Sequence, residues 1–495
     1  MGGEAHDQPV ELCARKTLMD SLRSLRGVPV TVMGLGLFGG GEGAVRYLAR
    51  AGARVTVTDL KSADQLAEPI GRLSDLPVEY VLGEHREADF TSASLVVANP
   101  AVPRSNMYLR AAADRGVPVT SPMNIFLALC PVPVVAVTGS NGKSTTTALV
   151  ADMLRSGGRK VRLGGNIGVS LLPSLEDLGE EEVAVLEMSS FQLADAGAME
   201  WSPRGAVVTN ITPNHLKWHG GFKEYSEAKR NIVRFQSASD FAVLNADDPV
   251  LRGWASEPPS GRVMWFHPEA DASDIREGMS LSGDHIVLCE GGRRELICRR
   301  SELKLPGPHN GANAIAAAAA AHSMGVGAKD IRRALAGFDG LAHRLELVGQ
   351  FEGVRFYNDS FSTTPESVVA ALRSFETSIV LIAGGYDKGL DLSPVARAAA
   401  RHAQVVVTMG QTGPSLARLT RREGACAGKS LPVREADSLE EAVRTSAEVS
   451  MPGTAVVFSP GCASYDMFDN YRQRGEMFKE LVRASFGGRR CSKGA

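Results

Sequence analysis

The chain has 495 residues, 44% hydrophobic and 22% charged, and its 54 Lys+Arg against 56 Asp+Glu leave a formal net charge of −2. At roughly 150 residues per domain this length predicts about three domains, each able to bury its own core, and excludes a small peptide-like module. The basic residues are scattered, so no polyanion-binding surface and no nucleic-acid partner is expected.

No apolar run reaches the ~18 residues of a membrane span, and the N-terminal MGGEAHDQPVELCARK has no apolar signal region, so the expectation is a cytoplasmic chain without a membrane span. The cysteines (Cys13, Cys130, Cys289, Cys298, Cys426, Cys462, Cys491) are odd in number and lack a C-x-x-C pair, which predicts neither a disulfide framework nor a structural zinc site. Glycine is in excess, 52 of 495 residues, against roughly 7% in average chains, so many backbone positions need positive φ or close ligand approach.

In chain order, VPVTVM (Val28 to Met33) is a short apolar run ending in Gly34-Leu35-Gly36-Leu37-Phe38-Gly39. An amphipathic stretch around GAVRYLARAG and a second apolar run, RVTVTD, ending at Asp59, complete a βαβ unit. SLVVAN and VPVTS, with helical AAADRG between them, extend a parallel sheet to about residue 122. A second alternation starts at Pro131 with PVPVVAVTGSNGKSTTT, continues through strands at VAVLEM, GAVVTN and FAVLNA, and reaches the Ala-rich helix ANAIAAAAAAHSM. The stretch from Gly253 to Glu302 mixes glycine, charge and short alternating runs and reads as a small β-rich insertion. Near Gly340 the pattern restarts with LELVGQFEGVRFYND, then SIVLIAGG, QVVVTMG and TAVVFSP. The expected fold is therefore α/β, three consecutive α/β domains spanning 1–130, 131–339 and 340–495.

Gly34-x-Gly36-x-x-Gly39 follows a strand, and Asp59 ends the next one, which satisfies the dinucleotide fingerprint in context as well as spelling. The helix N-terminus would hold a phosphate and Asp59 a ribose or uridine hydroxyl. From this motif alone a nicotinamide cofactor, another nucleotide and a purely structural turn remain open.

Thr138-Gly139-Ser140-Asn141-Gly142-Lys143-Ser144-Thr145 lies between a strand and a helix and reads as a phosphate loop. Its backbone N–H groups can surround phosphate oxygens, Lys143 can neutralise β/γ charge and the Ser144 hydroxyl can ligate Mg²⁺. The G-x-x-G-K-S spacing is two residues shorter than the general phosphate-loop pattern. Glu187 and His215 end the next two strands and are divalent-metal candidates on the same sheet edge. Lys229, in EYSEAKRNIVRF, reads by itself as a solvated helix cation.

TGSNGKST, GGNIG, LEMSSFQL, NITPNHL, NADDP, PGPHNGANA, GLAHRLE, YNDS, GGYDKG and SPGCASYDMF occur in the order found in Mur ligases, and the chain resembles that family over essentially its whole length. LEMSSFQL and SPGCASYDMF resemble most closely the glutamate-adding, MurD-type branch. The resemblance implies a Rossmann-like UDP-binding domain, a P-loop ATPase central domain and a Rossmann-like C-terminal domain. It implies an ATP-dependent amide ligase of peptidoglycan precursor synthesis, forming an acyl phosphate on UDP-N-acetylmuramoyl-L-alanine that glutamate attacks.

On this resemblance Gly139 to Thr145 and Lys143 in particular hold ATP phosphates, and Ser144, Glu187 and His215 hold Mg²⁺. Lys229 matches a lysine that the family carbamylates with CO₂ to make a metal ligand. Asn310 and Asn313 meet the adenine side, Arg344 the transferring phosphate and Asp359 the ATP ribose. Gly36, Leu37, Phe38 and Asp59 surround the uridine diphosphate, with Asn166, Ser189 and Gln192 along the muramoyl portion. Thr363, Lys388, Ser464 and Tyr471 face glutamate, and the family implies a monomer.

The chain departs from the common family form at several positions. Phe361 follows Asn358-Asp359-Ser360 where the common family form has lysine, a loss of one phosphate-facing cation unless Arg344 or Lys388 compensates. The Ser362-Thr363-Thr364-Pro365-Glu366 continuation resembles a branch that uses L-glutamate, so the D and L enantiomers both remain open. Asn214 stands where an acidic residue is common, and Asn99-Pro100-Ala101 where Ser-Pro-Gly is usual. A folate or other muramoyl-peptide substrate and a nucleotide-binding regulator without catalysis are the remaining alternatives.

Overall fold

The structure, a computed structural model, describes residues 10–36, 39–167, 170–269, 275–428 and 430–486. Leu37, Phe38, Gly168 and Cys491 lie outside the described residues. The described strands form three sheets.

The first sheet has five parallel strands in spatial order Val78–Leu82, Arg54–Asp59, Pro29–Met33, Leu95–Ala98, Val119–Thr120. Val30, Val32, Val55, Val57 and Leu95 to Ala98 are buried, the continuous apolar run expected of strands covered on both faces. Val78–Leu82 is the half-exposed edge, and its mixed VEYVL sequence escapes the reading of apolar runs. Strand order reverses between Pro29–Met33 and Leu95–Ala98, so a crevice opens at their carboxyl ends, beside Gly34 and Asn99.

The second sheet has nine strands, Arg293–Arg299, His285–Glu290, Gly278–Ser282, Arg262–His267, Phe241–Asn245, Gly205–Val208, Val134–Thr138, Glu182–Glu187 and Lys160–Gly165 in spatial order. The stretch 253–302, read as a small β-rich insertion, is β-rich, and its strands continue this sheet to its edge. Arg262–His267 pairs in parallel with Phe241–Asn245, and Gly278–Ser282 pairs in parallel with Arg262–His267. Two antiparallel strands then complete the edge. Gly283, Gly291 and Gly292 sit at its turns, each at positive φ.

The third sheet has six strands, Glu346–Phe351, Val354–Asn358, Ala455–Phe458, Ile379–Ala383, Ala403–Met409 and Val433–Ala436 in spatial order. LELVGQFEGVRFYND, read as one run, is a hairpin. Glu352 (φ 51°) and Gly353 (φ 83°) both occupy the left-handed region that a tight two-residue turn requires.

Contacts group the chain into two compact units, Met1–Glu302 with Ala312–Ala336, and Leu303–Gly311 with Gly337–Ala495. In the first unit one continuous core joins Val32, Leu35 and Val45 to Leu127, Leu172, Leu186 and Leu193. A partly buried ion pair, Arg104 to Asp195 at 2.7 Å, adds a polar tie there. Among the described residues no helix is long and apolar enough to cross a membrane.

Candidate active site

Val134–Thr138 lies between Glu182–Glu187 and Gly205–Val208, so the loop that follows it is bordered by the loops after both neighbours. Its backbone needs glycine twice. A Cβ on Gly139 would lie 1.9 Å from Thr209 Oγ1, and one on Gly142 would lie 2.2 Å from Asn313 Oδ1. Gly142, at φ 81°, caps the helix Lys143–Ser156, whose first turn presents Lys143, Ser144 and Thr145 at the positive end of the helix dipole.

The neighbouring loop pins this one. Ser140 N donates to Asn210 O at 2.8 Å and Asn141 N to Asn210 Oδ1 at 2.9 Å. The Ser140 hydroxyl pairs with Tyr225 OH and with Thr212 O, each at 2.8 Å. Lys143 Nζ curls back on Gly139 O (3.1 Å) and Ser140 O (3.0 Å), which holds its charge at the loop.

Ser144 Oγ donates to Glu187 Oε2, and Asn166 Nδ2 donates to Glu187 Oε1 at 2.7 Å. Ser144 and Glu187 are buried. A hydroxyl and a carboxylate in contact at the mouth of a phosphate loop are the hard oxygen donors that Mg²⁺ takes beside phosphate and water, so the residues present fit that ion.

Lys229 is not a solvated helix cation. It is 2% exposed, and its Nζ donates to Gly139 O at 2.9 Å and Thr138 Oγ1 at 3.1 Å. Burial pushes its amine well below the usual lysine range, the nearby Lys143 charge adds to the shift and Glu187 opposes it. His215 caps a short helix in the left-handed conformation at φ 52°, with its ring 5.0 Å from that of Phe191. Burial and then the charges of Lys143 and Lys229 lower its pKa, which favours the neutral imidazole. Lys143, Ser144, Glu187, His215 and Lys229 thus form one electrostatically linked group.

At the first glycine loop, Asp59 Oδ2 accepts from Leu35 N (3.0 Å) and Gly36 N (3.3 Å), while Oδ1 accepts from Lys61 N (3.0 Å). Asp59 clamps the loop. Asn99 fills the other side, donating to Gly34 O at 3.3 Å. Ser189 and Gln192 form a capping box on the helix Ser190–Gly197, a signal readable in Ser-x-x-Gln.

In the second unit the loops after Val354–Asn358, Ala455–Phe458 and Ile379–Ala383 leave the carboxyl ends of three adjacent strands. Gly461 N donates to Ser362 O at 2.8 Å and Tyr386 N to Ala463 O at 3.0 Å, which joins the loops carrying Thr363, Lys388 and Ser464. Lys388 is exposed, its Nζ 5.8 Å from the Tyr465 ring centre. Asp359 is buried and accepts from Leu345 N (3.1 Å), Ser362 Oγ (2.5 Å) and Ser459 Oγ (2.7 Å). Asn310 donates to Pro306 O at 2.7 Å.

Arg474 is the residue that sequence reasoning missed here. It is 1% exposed, and its guanidinium donates to Ser360 Oγ and O and to the carbonyls of Cys462 and Ala463 at 2.9–3.1 Å. It ties the Asp359 loop to the Ser464 loop. An arginine in a helix reads as a solvated cation, so nothing in the sequence pattern signals this burial.

A phosphate loop with a buried hydroxyl–carboxylate pair at its mouth, on an α/β scaffold, is the arrangement of a nucleotide-using enzyme. Three family models match: the MurD-like Mur ligase N-terminal domain over residues 29–121, the Mur ligase middle domain over 137–321 and the Mur ligase glutamate ligase domain over 343–462. The UDP-N-acetylmuramoylalanine–D-glutamate ligase of Roseiflexus sp. is 42% identical over 92% of this chain and 99% of its own. That of Symbiobacterium thermophilum is 41% identical over 92% and 97%. Among solved structures, the UDP-N-acetylmuramate–alanine ligase MurC of Thermotoga maritima aligns with a TM-score of 0.59 at 21% identity over 92% of this chain and 99% of its own. MurF of the same organism, in complex with ADP, aligns with a TM-score of 0.56 at 18% identity over 95% and 97%. The chain belongs to the Mur ligase family.

Proposed function

We propose that this protein joins D-glutamate to UDP-N-acetylmuramoyl-L-alanine at the expense of ATP, in cytoplasmic peptidoglycan precursor synthesis. The observation that carries the reading is the Ser144–Glu187 contact at the mouth of the phosphate loop, with buried Lys229 against Gly139. Full-length similarity to D-glutamate ligases supports the choice of substrates and of the enantiomer.

The alanine carboxylate oxygen attacks the γ-phosphorus of ATP, ADP leaves, and the glutamate amine then attacks the acyl phosphate carbonyl and expels phosphate as the amide forms. Positioning and charge stabilisation are the protein's part. Lys143 and the N–H groups of Gly139 to Thr145 hold the ATP phosphates. Ser144, Glu187 and neutral His215 would hold Mg²⁺, which when bound offsets phosphate charge. Burial favours the neutral amine of Lys229, the form that CO₂ carbamylates, and the resulting carbamate would add an oxygen ligand.

Asn310, Asn313 and Asp359 serve adenosine, and Arg344 the transferring phosphoryl group. Residues 1–130 take the UDP-sugar at Gly36, Leu37, Phe38 and Asp59, with Asn166, Ser189 and Gln192 along the muramoyl part. Residues 131–339 take ATP, and residues 340–495 take glutamate at Thr363, Lys388, Ser464 and Tyr471. Asp59, Ser189 and Gln192 also carry structural hydrogen bonds, so their substrate roles are additional ones. The working form is a monomer.

Purified protein with ATP, Mg²⁺, UDP-N-acetylmuramoyl-L-alanine and D-glutamate should release phosphate only when all four are present. Release independent of glutamate would overturn the reading.

A further inference from the structure

Arg344 sits in a strained turn whose two flanking residues are both left-handed, His343 at φ 64° and Leu345 at φ 47°. Non-glycine residues in that region persist only where their surroundings over-determine them, and such strain gathers at functional sites. The surroundings here are specific. Phe361 N donates to His343 O at 3.0 Å, Leu345 N donates to Asp359 Oδ1 at 3.1 Å, and Arg344 N donates to Leu341 O at 3.2 Å. The backbone on either side of Arg344 is thus pinned by the loop that carries Asp359 and Phe361.

The side chain is held by the same loop. The Arg344 guanidinium carbon lies 3.6 Å from the centroid of the Phe361 ring. Tyr471 closes on that ring edge-to-face, with centroids 5.0 Å apart at an interplanar angle of 85°. Phe361 is 38% exposed, so core packing does not account for an aromatic residue at this point. A ring face attracts a cation, and a contact this close restricts the planes the guanidinium can take.

We propose that Phe361 is a positioning residue: its ring, braced by Tyr471, is the platform that sets the plane of Arg344 and so aims that guanidinium at the phosphoryl group being transferred. The inference rests on the ligase reading above, in which Arg344 serves that group. It also gives the Phe361 departure a meaning: the loop supplies an aromatic support for one arginine in place of a second cation.

The test uses the full chain in the phosphate-release assay, with Phe361→Leu, Phe361→Trp and Phe361→Lys, each checked for an unchanged melting midpoint. Phe361→Leu should lower kcat by about 10- to 100-fold, the scale of a misplaced reacting group, with the KM for glutamate unchanged. Phe361→Trp should restore kcat to within a few-fold of the unaltered protein. Phe361→Lys should be no better than Phe361→Leu, because it places like charge against Arg344. If Phe361→Leu melts early, Phe361→Met takes its place, and a double-mutant cycle adds a second readout. In an Arg344→Ala background, loss of the ring should then cost little more.

A Leu variant with unaltered kcat, a Lys variant as fast as the original, or fully additive effects with Arg344→Ala would overturn the proposal. Turnover absent from the unaltered protein would instead overturn the ligase reading and the proposal with it, so the two failures are told apart.

Discussion

Lys229 Nζ lies 2.9 Å from the carbonyl oxygen of Gly139, the first glycine of the phosphate loop, although the two residues are 90 positions apart in the chain. A buried amine at that point is costly as a cation, and burial shifts it toward the neutral, nucleophilic form. Lys229→Ala should lower turnover by about 10²- to 10³-fold, the loss seen when one preorganised charge-stabilising group is removed. Short carboxylic acids such as acetate should restore part of it by supplying the missing oxygen ligand. Steady-state kinetics with and without acetate check this, and an absence of rescue would argue against a carbamate.

Lys143 is tied to the carbonyls of Gly139 and Ser140, so its charge belongs to the loop and not to the first glycine turn. Lys143→Ala should abolish ATP-dependent turnover while leaving the affinity for the UDP-substrate nearly intact, as measured by calorimetry. Equal loss of both would mean that ATP and UDP-sugar are not handled by separate loops.

Gly142 tests the loop backbone itself. A methyl group there meets Asn313 Oδ1 at 2.2 Å and must also adopt φ 81°. Gly142→Ala should cost about 1–3 kcal/mol of local strain and weaken ATP binding more than global stability. Nucleotide titration beside a melting curve separates the two, and unchanged ATP affinity would count against a phosphate-cradling role.

Asp359 supplies a pH dependence. Burial raises its carboxyl from the usual 3.8 to about 6, only partly offset by hydrogen bonds from Ser362, Ser459 and Leu345 and by the Arg344 charge. Between those values the folded chain keeps a proton that the unfolded chain has released. This group's contribution is therefore full below the unfolded pKa and is lost as pH rises through the folded one. Relative to the original chain, Asp359→Asn should become progressively more favourable in thermal midpoint between about pH 4 and about pH 7. A constant difference across that range would contradict the assignment.

Much of the scaffold was legible because fully covered parallel strands such as VVAVT and LVVA are uninterrupted apolar runs, and the phosphate loop carries glycine where a neighbouring side chain leaves no room for a Cβ, as at Gly139 and Gly142. The phosphate loop is the clearest case, since spacing, preceding strand and following helix all agree. What escaped the sequence depends on tertiary burial. Nothing local marks Lys229 as buried, Arg474 as a carbonyl-bonded tie between two loops, or Tyr225 as the partner of Ser140. Edge strands such as Val78–Leu82 escaped because half exposure erases the apolar run. Asp59 illustrates a third reason: one carboxylate spelling serves both a ligand hydroxyl and a loop clamp, and only the hydrogen bonds from Leu35 and Gly36 reveal the clamp.

The most direct measurement is ADP release and product mass with ATP, Mg²⁺ and UDP-N-acetylmuramoyl-L-alanine, run separately with D-glutamate and L-glutamate. The account predicts one ADP per amide formed with D-glutamate and little with L-glutamate. Turnover with neither enantiomer would contradict the ligase assignment, and turnover with L-glutamate alone would contradict the choice of enantiomer.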